Sequence, residues 1–337
     1  MNPAYLGFLS HKKEAIFISE ILKVAFSVAG SVIGAGFATG KELQLFFPLS
    51  NSGSLLCLSS SILLMLLVSL MYFGKQKKTL FPALFQFSEL FFLLFSGASC
   101  LVMFACGGET LKESFRLPLA IGNTLTCLFT LLIVSRGIGS VYRFNLFATP
   151  VMMLCIIVIS TTGLTLPVGL FPHTSKPVFN LLIYSGYNLL SVLPFLSAIS
   201  EDTKKKVGML GTTLGFILVL LCGLLLKLLL NFHHQAVFDA PIPMLKIVGM
   251  IHPMLSYLYT VMLLLSVLTT AVNALYAVTR GKHTVTVGLF LLTASFFGFT
   301  TLIEHLYPLF GYLGIGIICL IVWDGYFQKG IRERRIK

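Results

Sequence analysis

Four side chains within two helical turns have the chemistry to hold a cation. In the apolar run LLSVLTTAVNALY, Ser266, Thr269, Thr270 and Asn273 recur at i, i+3, i+4 and i+7, so a helix puts them on a related face. Hydroxyl oxygens beside exposed backbone carbonyls are what a hard monovalent cation needs. The same hydroxyls also bond readily to their own helix carbonyls, so the face by itself leaves both uses open. A second candidate is main-chain chemistry. The stretch SVIGAGFATGKELQLFF, Ser31 to Phe47, is apolar yet holds Gly34, Gly36 and Gly40 and then Lys41 and Glu42. The four-residue spacings Gly30/Gly34 and Gly36/Gly40 fit close helix packing through small residues. They also fit a broken helix, since each glycine costs about 1 kcal/mol of helix propensity. Unwound backbone is tolerated in lipid only where it faces protein or a water-filled cavity, and there its amides and carbonyls can hold a solute. A third candidate is YSGYN, Tyr184 to Asn188, followed by Pro194 in NLLIYSGYNLLSVLPFLSAIS.

The elements that position these residues must cross a bilayer. The chain has 337 residues, 56% hydrophobic and 11% charged, with mean hydropathy +0.93. A soluble domain carries about a quarter charged residues, so the composition reads as an integral membrane protein. Ten apolar stretches of crossing length follow one another: 22–47, 52–73, 84–107, 117–135, 144–164, 178–200, 207–230, 254–279, 284–300 and 303–326. The last two are parted by TLIEHLYP. The N-terminal apolar stretch does not read as a cleaved signal, because the glycine-rich segment continues it.

The net charge of +12 raises nucleic acid as a partner. Its distribution answers otherwise. With the N-terminus inside, the inner segments hold 18 of the 24 basic residues and the outer ones hold 5, with Lys41 left in the first span. That asymmetry is the positive-inside pattern. It predicts ten crossings of a cell membrane with both termini cytoplasmic, and it removes the nucleic-acid reading. Lys227 is counted among the outer five. The longest outer segment, Asn231 to Pro253, has an apolar second half too short to span, which suits a re-entrant or interfacial helix.

Interruptions in the first and sixth spans predict a single membrane domain over residues 1–337, built as a five-plus-five inverted repeat with halves 22–164 and 178–326. Other residues point less sharply. Glu89 is a proton carrier or a side chain reaching the inner interface. Ser96 and Ser99 line a pathway or join helices. Trp323 and Asp324 read as an interface anchor. Adjacent His233 and His234 are assigned no metal. Seven cysteines without a CxxC pair read as apolar fillers. No Walker motif, Ser/His/Asp set or HExxH appears, so an ATP-driven pump or an enzyme is not expected.

The segments SVIGAGFATGKELQLFF and IYSGYNLLSVLP resemble those of the YkvI-type family of bacterial proteins, which are amino-acid permeases by inference. GAGFATGKE is the most specific part, and elsewhere the likeness is one of topology along the whole chain. The resemblance implies the amino acid–polyamine–organocation superfamily and its LeuT-type fold, all-α, with ten helices and the first and sixth broken. It implies a substrate site at Gly34, Ala35, Gly36 and Phe37, whose amides meet a carboxylate. Tyr184, Ser185, Gly186, Tyr187 and Asn188 face it. It implies a sodium site from the backbone of Gly30 and Ile33 with the side chains of Ser266, Thr269 and Thr270. Lys41 departs from the glutamine of the family pattern. The implied function is secondary transport of a small amino acid or related zwitterion, coupled to sodium or to protons, with no cofactor besides that ion. A receptor of the same fold, like the spore-germinant receptor subunits, is the alternative, and a channel is a weaker third. Oligomeric state is not specified.

Overall fold

The computed structural model describes residues 3–48, 52–74, 82–163 and 178–334. All regular structure among the described residues is helical. The first span is three pieces: α1 (Pro3–Val32), α2 (Ala35–Thr39) and α3 (Lys41–Phe46). There follow α4 (Ser52–Gly74), α5 (Pro82–Phe115), α6 (Leu119–Val134), α7 (Ile138–Gly163), α8 (Val178–Asp202) and α9 (Lys205–Phe232). Two short helices, α10 (His234–Val237) and α11 (Pro243–Ile251), lead to α12 (Pro253–Thr279), α13 (Thr284–Ser295) and α14 (Phe299–Arg334).

Among the described residues, five helices are long and apolar enough to cross a membrane, in α4, α5, α9, α12 and α14. Shorter apolar helices lie in α6, α7, α8 and α13. The sidedness of α4 shows how such a helix is placed. Leu56, Leu63 and Leu67 are exposed along one face, while Leu58, Ile62, Met65 and the hydroxyls of Ser61 and Ser69 are buried on the other. Apolar side chains turned outward suit lipid, and the polar ones turn into the bundle.

Glycines set the closest crossings. A Cβ on Gly186 of α8 would run into the backbone of Gly311, Gly314 and Ile315 of α14. Gly215 of α9 leaves room for Ala25 O and Val28 of α1, and Gly122 of α6 lies against the backbone of Gly108 of α5. This is small-residue packing of membrane helices.

Three expectations are corrected here. The sixth span is not broken: α8 runs unbroken from Val178 to Asp202 through Tyr184 to Asn188. Its polar residues are satisfied without unwinding. Ser185 Oγ donates to Leu181 O at 2.7 Å, and Asn188 Nδ2 donates to Tyr184 O at 3.1 Å. Gly186 serves the crossing with α14. Second, TLIEHLYP is not a connection. Residues 301–308 lie inside α14, which tolerates Pro308, and the link from α13 is Phe296–Gly298, turned by Gly298 at φ +91°. Third, Lys227 is not an outer-loop residue. It lies within α9 at 2% exposure. The side chains of Glu89 and Asp324 lie outside the described residues.

Candidate functional site

The site begins where the first span loses its helical ladder. Ile33 N–H still reaches Ala29 O at 2.7 Å, but Gly34 N–H turns to Val32 O at 2.8 Å. Among the described main-chain bonds, none joins the N–H groups of Ala35, Gly36 or Phe37 to α1. Gly34 is extended, at φ −93° and ψ −173°, a conformation open to any residue. A Cβ there would stand 3.1 Å from Thr270 Oγ1, so a side chain at this position would press on Thr270. Gly40 ends α2 in the left-handed region at φ +77°, and a Cβ there would also meet Met244 Cγ at 2.9 Å. That backbone favours glycine.

The short helix α2 is buried throughout, so its polar atoms must be answered locally. Thr39 Oγ1 donates to Gly36 O at 2.8 Å, and Tyr259 Oη of α12 donates to Ala38 O at 2.6 Å. The end of α3 is held in the same way. Asn180 Nδ2 donates to Phe46 O at 2.9 Å and the buried Lys227 Nζ to Phe47 O at 2.6 Å. A cation at a helix C-terminus meets its exposed carbonyls and the negative end of its dipole.

Two polar clusters flank this broken segment. On the α8 side, Glu42 is 2% exposed. Its Oε1 accepts a long hydrogen bond from Asn188 Nδ2, 3.4 Å. Its Oε2 lies 2.7 Å from the point where a Cβ on Gly36 would stand, and Tyr307 Oη lies 2.8 Å from that same point. Tyr184 is fully buried beside Glu42, and its hydroxyl closes no well-formed hydrogen bond. The wall is aromatic: Tyr187 stacks on Tyr307 at 4.3 Å and on Phe46 at 6.0 Å, with Phe95 edge-on at 5.8 Å.

On the α12 side, Thr269 Oγ1 and Thr270 Oγ1 both donate to Ser266 O, at 2.8 and 3.1 Å. Their lone pairs remain available. Ser266 Oγ is buried with no partner. Thr270 faces Gly34, so the hydroxyl face of α12 and the break in the first span lie side by side.

The structure thus sorts the residues singled out from sequence. Gly34, Gly36, Tyr184, Tyr187 and Asn188 gather around the α2–α3 segment, and Thr270 meets Gly34. Ser185 instead bonds across to Ser61 O of α4, Gly186 packs on α14, and Phe37 points toward Gly223 of α9. Gly30 turns the Cβ side of its backbone toward α7. Its open side meets Thr149 Oγ1 of α7 at 2.9 Å. Tyr307, Tyr259, Thr149 and Lys227 are the residues that sequence reasoning missed. Lys227 carried a signal, a lone lysine inside the apolar run GLLLKLLLNF. Tyr307 was hidden by the proline after it.

Comparisons with known proteins agree with the fold. No known family profile matches the chain. It is 24% identical over 331 residues to the uncharacterized membrane protein YkvI of Bacillus subtilis (strain 168), covering 88% of this chain and 93% of that one. It is 22% identical over 334 residues to the uncharacterized protein YyaD of the same organism, covering 90% and 96%. Among solved structures, Mhp1 in its inward-facing conformation is similar with TM-score 0.54 at 12% identity, over 91% of this chain and 76% of that one. A manganese transporter of Eremococcus coleocola, as its H236A mutant, is similar with TM-score 0.50 at 14% identity, over 92% and 76%. The chain is a membrane protein whose fold is LeuT-like.

Proposed function

We propose that this protein is a secondary active transporter for a small amino acid or related zwitterion, working by alternating access and driven by sodium. The chain crosses the membrane ten times, with α1, α2 and α3 together making the first crossing. α10 and α11 lie over the outer end. The halves 22–164 and 178–326 are the two inverted repeats. The observation that carries this reading is the meeting of the break at Gly34 with the hydroxyl face of α12, at a depth where α2 is wholly buried. Membrane proteins unwind a crossing where it handles a solute or ion.

In this reading the amides of Gly34 to Phe37 orient the carboxylate of the solute, and Tyr184, Tyr187 and Asn188 form the opposite wall. The partnerless oxygen of Ser266, with the free lone pairs of Thr269 and Thr270 and the carbonyls of Gly30 and Ile33, is an all-oxygen donor set that fits sodium. Sodium there ties α1 to α12. An ion and a solute that both engage the first crossing bias the same conformational equilibrium, and that is coupling. The structural neighbours of like fold are transporters, which supports the class. One of them carries manganese. Here, among the described residues, no three His, Cys, Asp or Glu side chains are grouped to share an ion, so the aromatic and main-chain surfaces favour an organic solute.

The test is counterflow in proteoliposomes holding the purified chain and each proteinogenic amino acid in turn. At least one labelled amino acid should accumulate, faster with an inward sodium gradient. Saturable binding without counterflow for any of them would make the protein a receptor and remove the transport reading.

A further inference from the structure

We propose that Glu42 is the docking group for a protonated amine, so that the solute carries an ammonium nitrogen. This rests on reading the α2–α8 junction as the solute site, and it names the chemistry that the site selects. None of the described residues supplies a cation to Glu42. Lys41, its neighbour, reaches Glu304 of α14 at 3.9 Å, and Lys227 is held by Phe47 O. Among the described residues, no basic side chain pairs with the Glu42 carboxylate. Its hydrogen bond from Asn188, at 3.4 Å, is a weak one. A carboxylate buried to 2% exposure needs a proton or a positive partner.

The surroundings suit an alkylammonium better than a bare metal ion. The aromatic wall of Tyr187, Tyr307 and Phe46 stands beside the carboxylate, and rings with a nearby anion attract ammonium groups. An ammonium has three protons to place. Glu42 Oε2 and Tyr307 Oη stand on the same side of Gly36, each within 3 Å of where its Cβ would be, so the two oxygens lie close enough together to share one ammonium. Tyr184 Oη, buried beside Glu42 and Asn188, is a further oxygen at the same junction. The amides of Ala35 to Phe37, which make no bond to α1 among the described main-chain bonds, begin beside these oxygens. An α-amino acid, with ammonium and carboxylate on one carbon, spans the two sets.

The experiment measures binding of matched triads to the purified full-length chain by calorimetry: alanine, propionate and ethylamine; leucine, isocaproate and isopentylamine; phenylalanine, hydrocinnamate and phenethylamine. At least one amino acid should bind about tenfold or more tighter than its desamino acid. Glu42→Gln should erase that preference. The assignment is overturned by desamino acids binding within about twofold of their parents, by no amine-bearing probe binding at all, or by a preference that survives Glu42→Gln. The wild-type triads need no variant, so a poorly folding Glu42→Gln does not block the result. Counterflow with the same triads separates the two claims. Transport of a desamino acid with no amine preference would spare the transport reading and end this one. Amine-selective binding without counterflow would do the reverse.

Discussion

Ser266 is the residue at which the proposed ion coupling is most exposed to test. A buried hydroxyl with no partner loses the hydrogen bonds it had in water and gains nothing from the fold. Removing it should therefore leave stability unchanged or slightly higher, unless a bound ion uses it. Thr270 differs, because its oxygen faces the break at Gly34. Thr270→Ala and Ser266→Ala should each raise the sodium concentration for half-maximal uptake, by about tenfold for Thr270, with the rate at saturating sodium retained. A sodium titration of uptake reads this directly, and an unchanged midpoint in both variants would place the ion elsewhere. Tyr259 gives a contrasting case in which stability, not ion response, should move. Its hydroxyl answers a buried carbonyl of α2, Ala38 O, at 2.6 Å. Tyr259→Phe strands that carbonyl and should cost about 1–3 kcal/mol, seen as a lower melting temperature in detergent with the sodium midpoint unmoved.

The elements divide by what their glycines do. In α8, Gly186 is a contact surface: a Cβ there meets the backbone of α14, which cannot rotate away as a side chain can. Gly186→Ala should force the two helices apart and cost about 1–3 kcal/mol. Gly316 of α14 has nothing within 4 Å of its Cβ position, so Gly316→Ala should instead gain up to about 1 kcal/mol of helix propensity. Thermal unfolding of the two variants side by side checks the pair, and equal effects would contradict the crossing. This difference also explains what could be read in advance. The break in the first span was legible because GAG concentrates poor helix formers where nothing else asks for them. The regularity of α8 was not, because YSGYN has the same composition whether it unwinds or packs. Only the positions of Gly311 and Gly314, distant in sequence, decide. The start of α14 was hidden for a related reason. Glu304, His305 and Pro308 look like a loop, yet Glu304 is spoken for by Lys41, and a membrane helix holds a proline when its neighbours supply the lost bonds. The candidate site was half legible: Gly34, Gly36, Tyr184, Asn188 and Thr270 were visible in the sequence, while Tyr307 and the carboxylate of Glu42 acquired meaning only from three-dimensional proximity.

For the molecule as a whole, orientation follows from charge placed on a helical frame. α12 has 27 residues, about 40 Å at 1.5 Å per residue, which is enough to separate its ends by a full bilayer. At its N-terminal end lies a cavity of ≈ 380 Å³ lined by Glu113, Asp239, Lys246 and Ser256, among others. At its C-terminal end lies the turn Arg280–His283, bent by left-handed Arg280, Gly281 and His283 and exposed at Arg280 and Lys282. The cavity end carries acidic and basic groups together. In the proposed ten-crossing layout the turn end shares its side with Lys204 to Lys206 and the basic C-terminal segment, and positive segments stay inside. Lys282→Cys should therefore react with a membrane-impermeant maleimide only in inverted vesicles, and Lys246→Cys only in intact cells. Of the native cysteines, Cys100, Cys106, Cys127 and Cys222 are buried, and the half-buried Cys57 and Cys155 are replaced by alanine in the parent. Cys319, exposed on the apolar flank of α14, is removed by Cys319→Ala in the parent. Labelling of both sites from the same side would break the single crossing by α12. Labelling of Lys282→Cys from outside alone would invert the whole arrangement and turn α10 and α11 toward the cytoplasm.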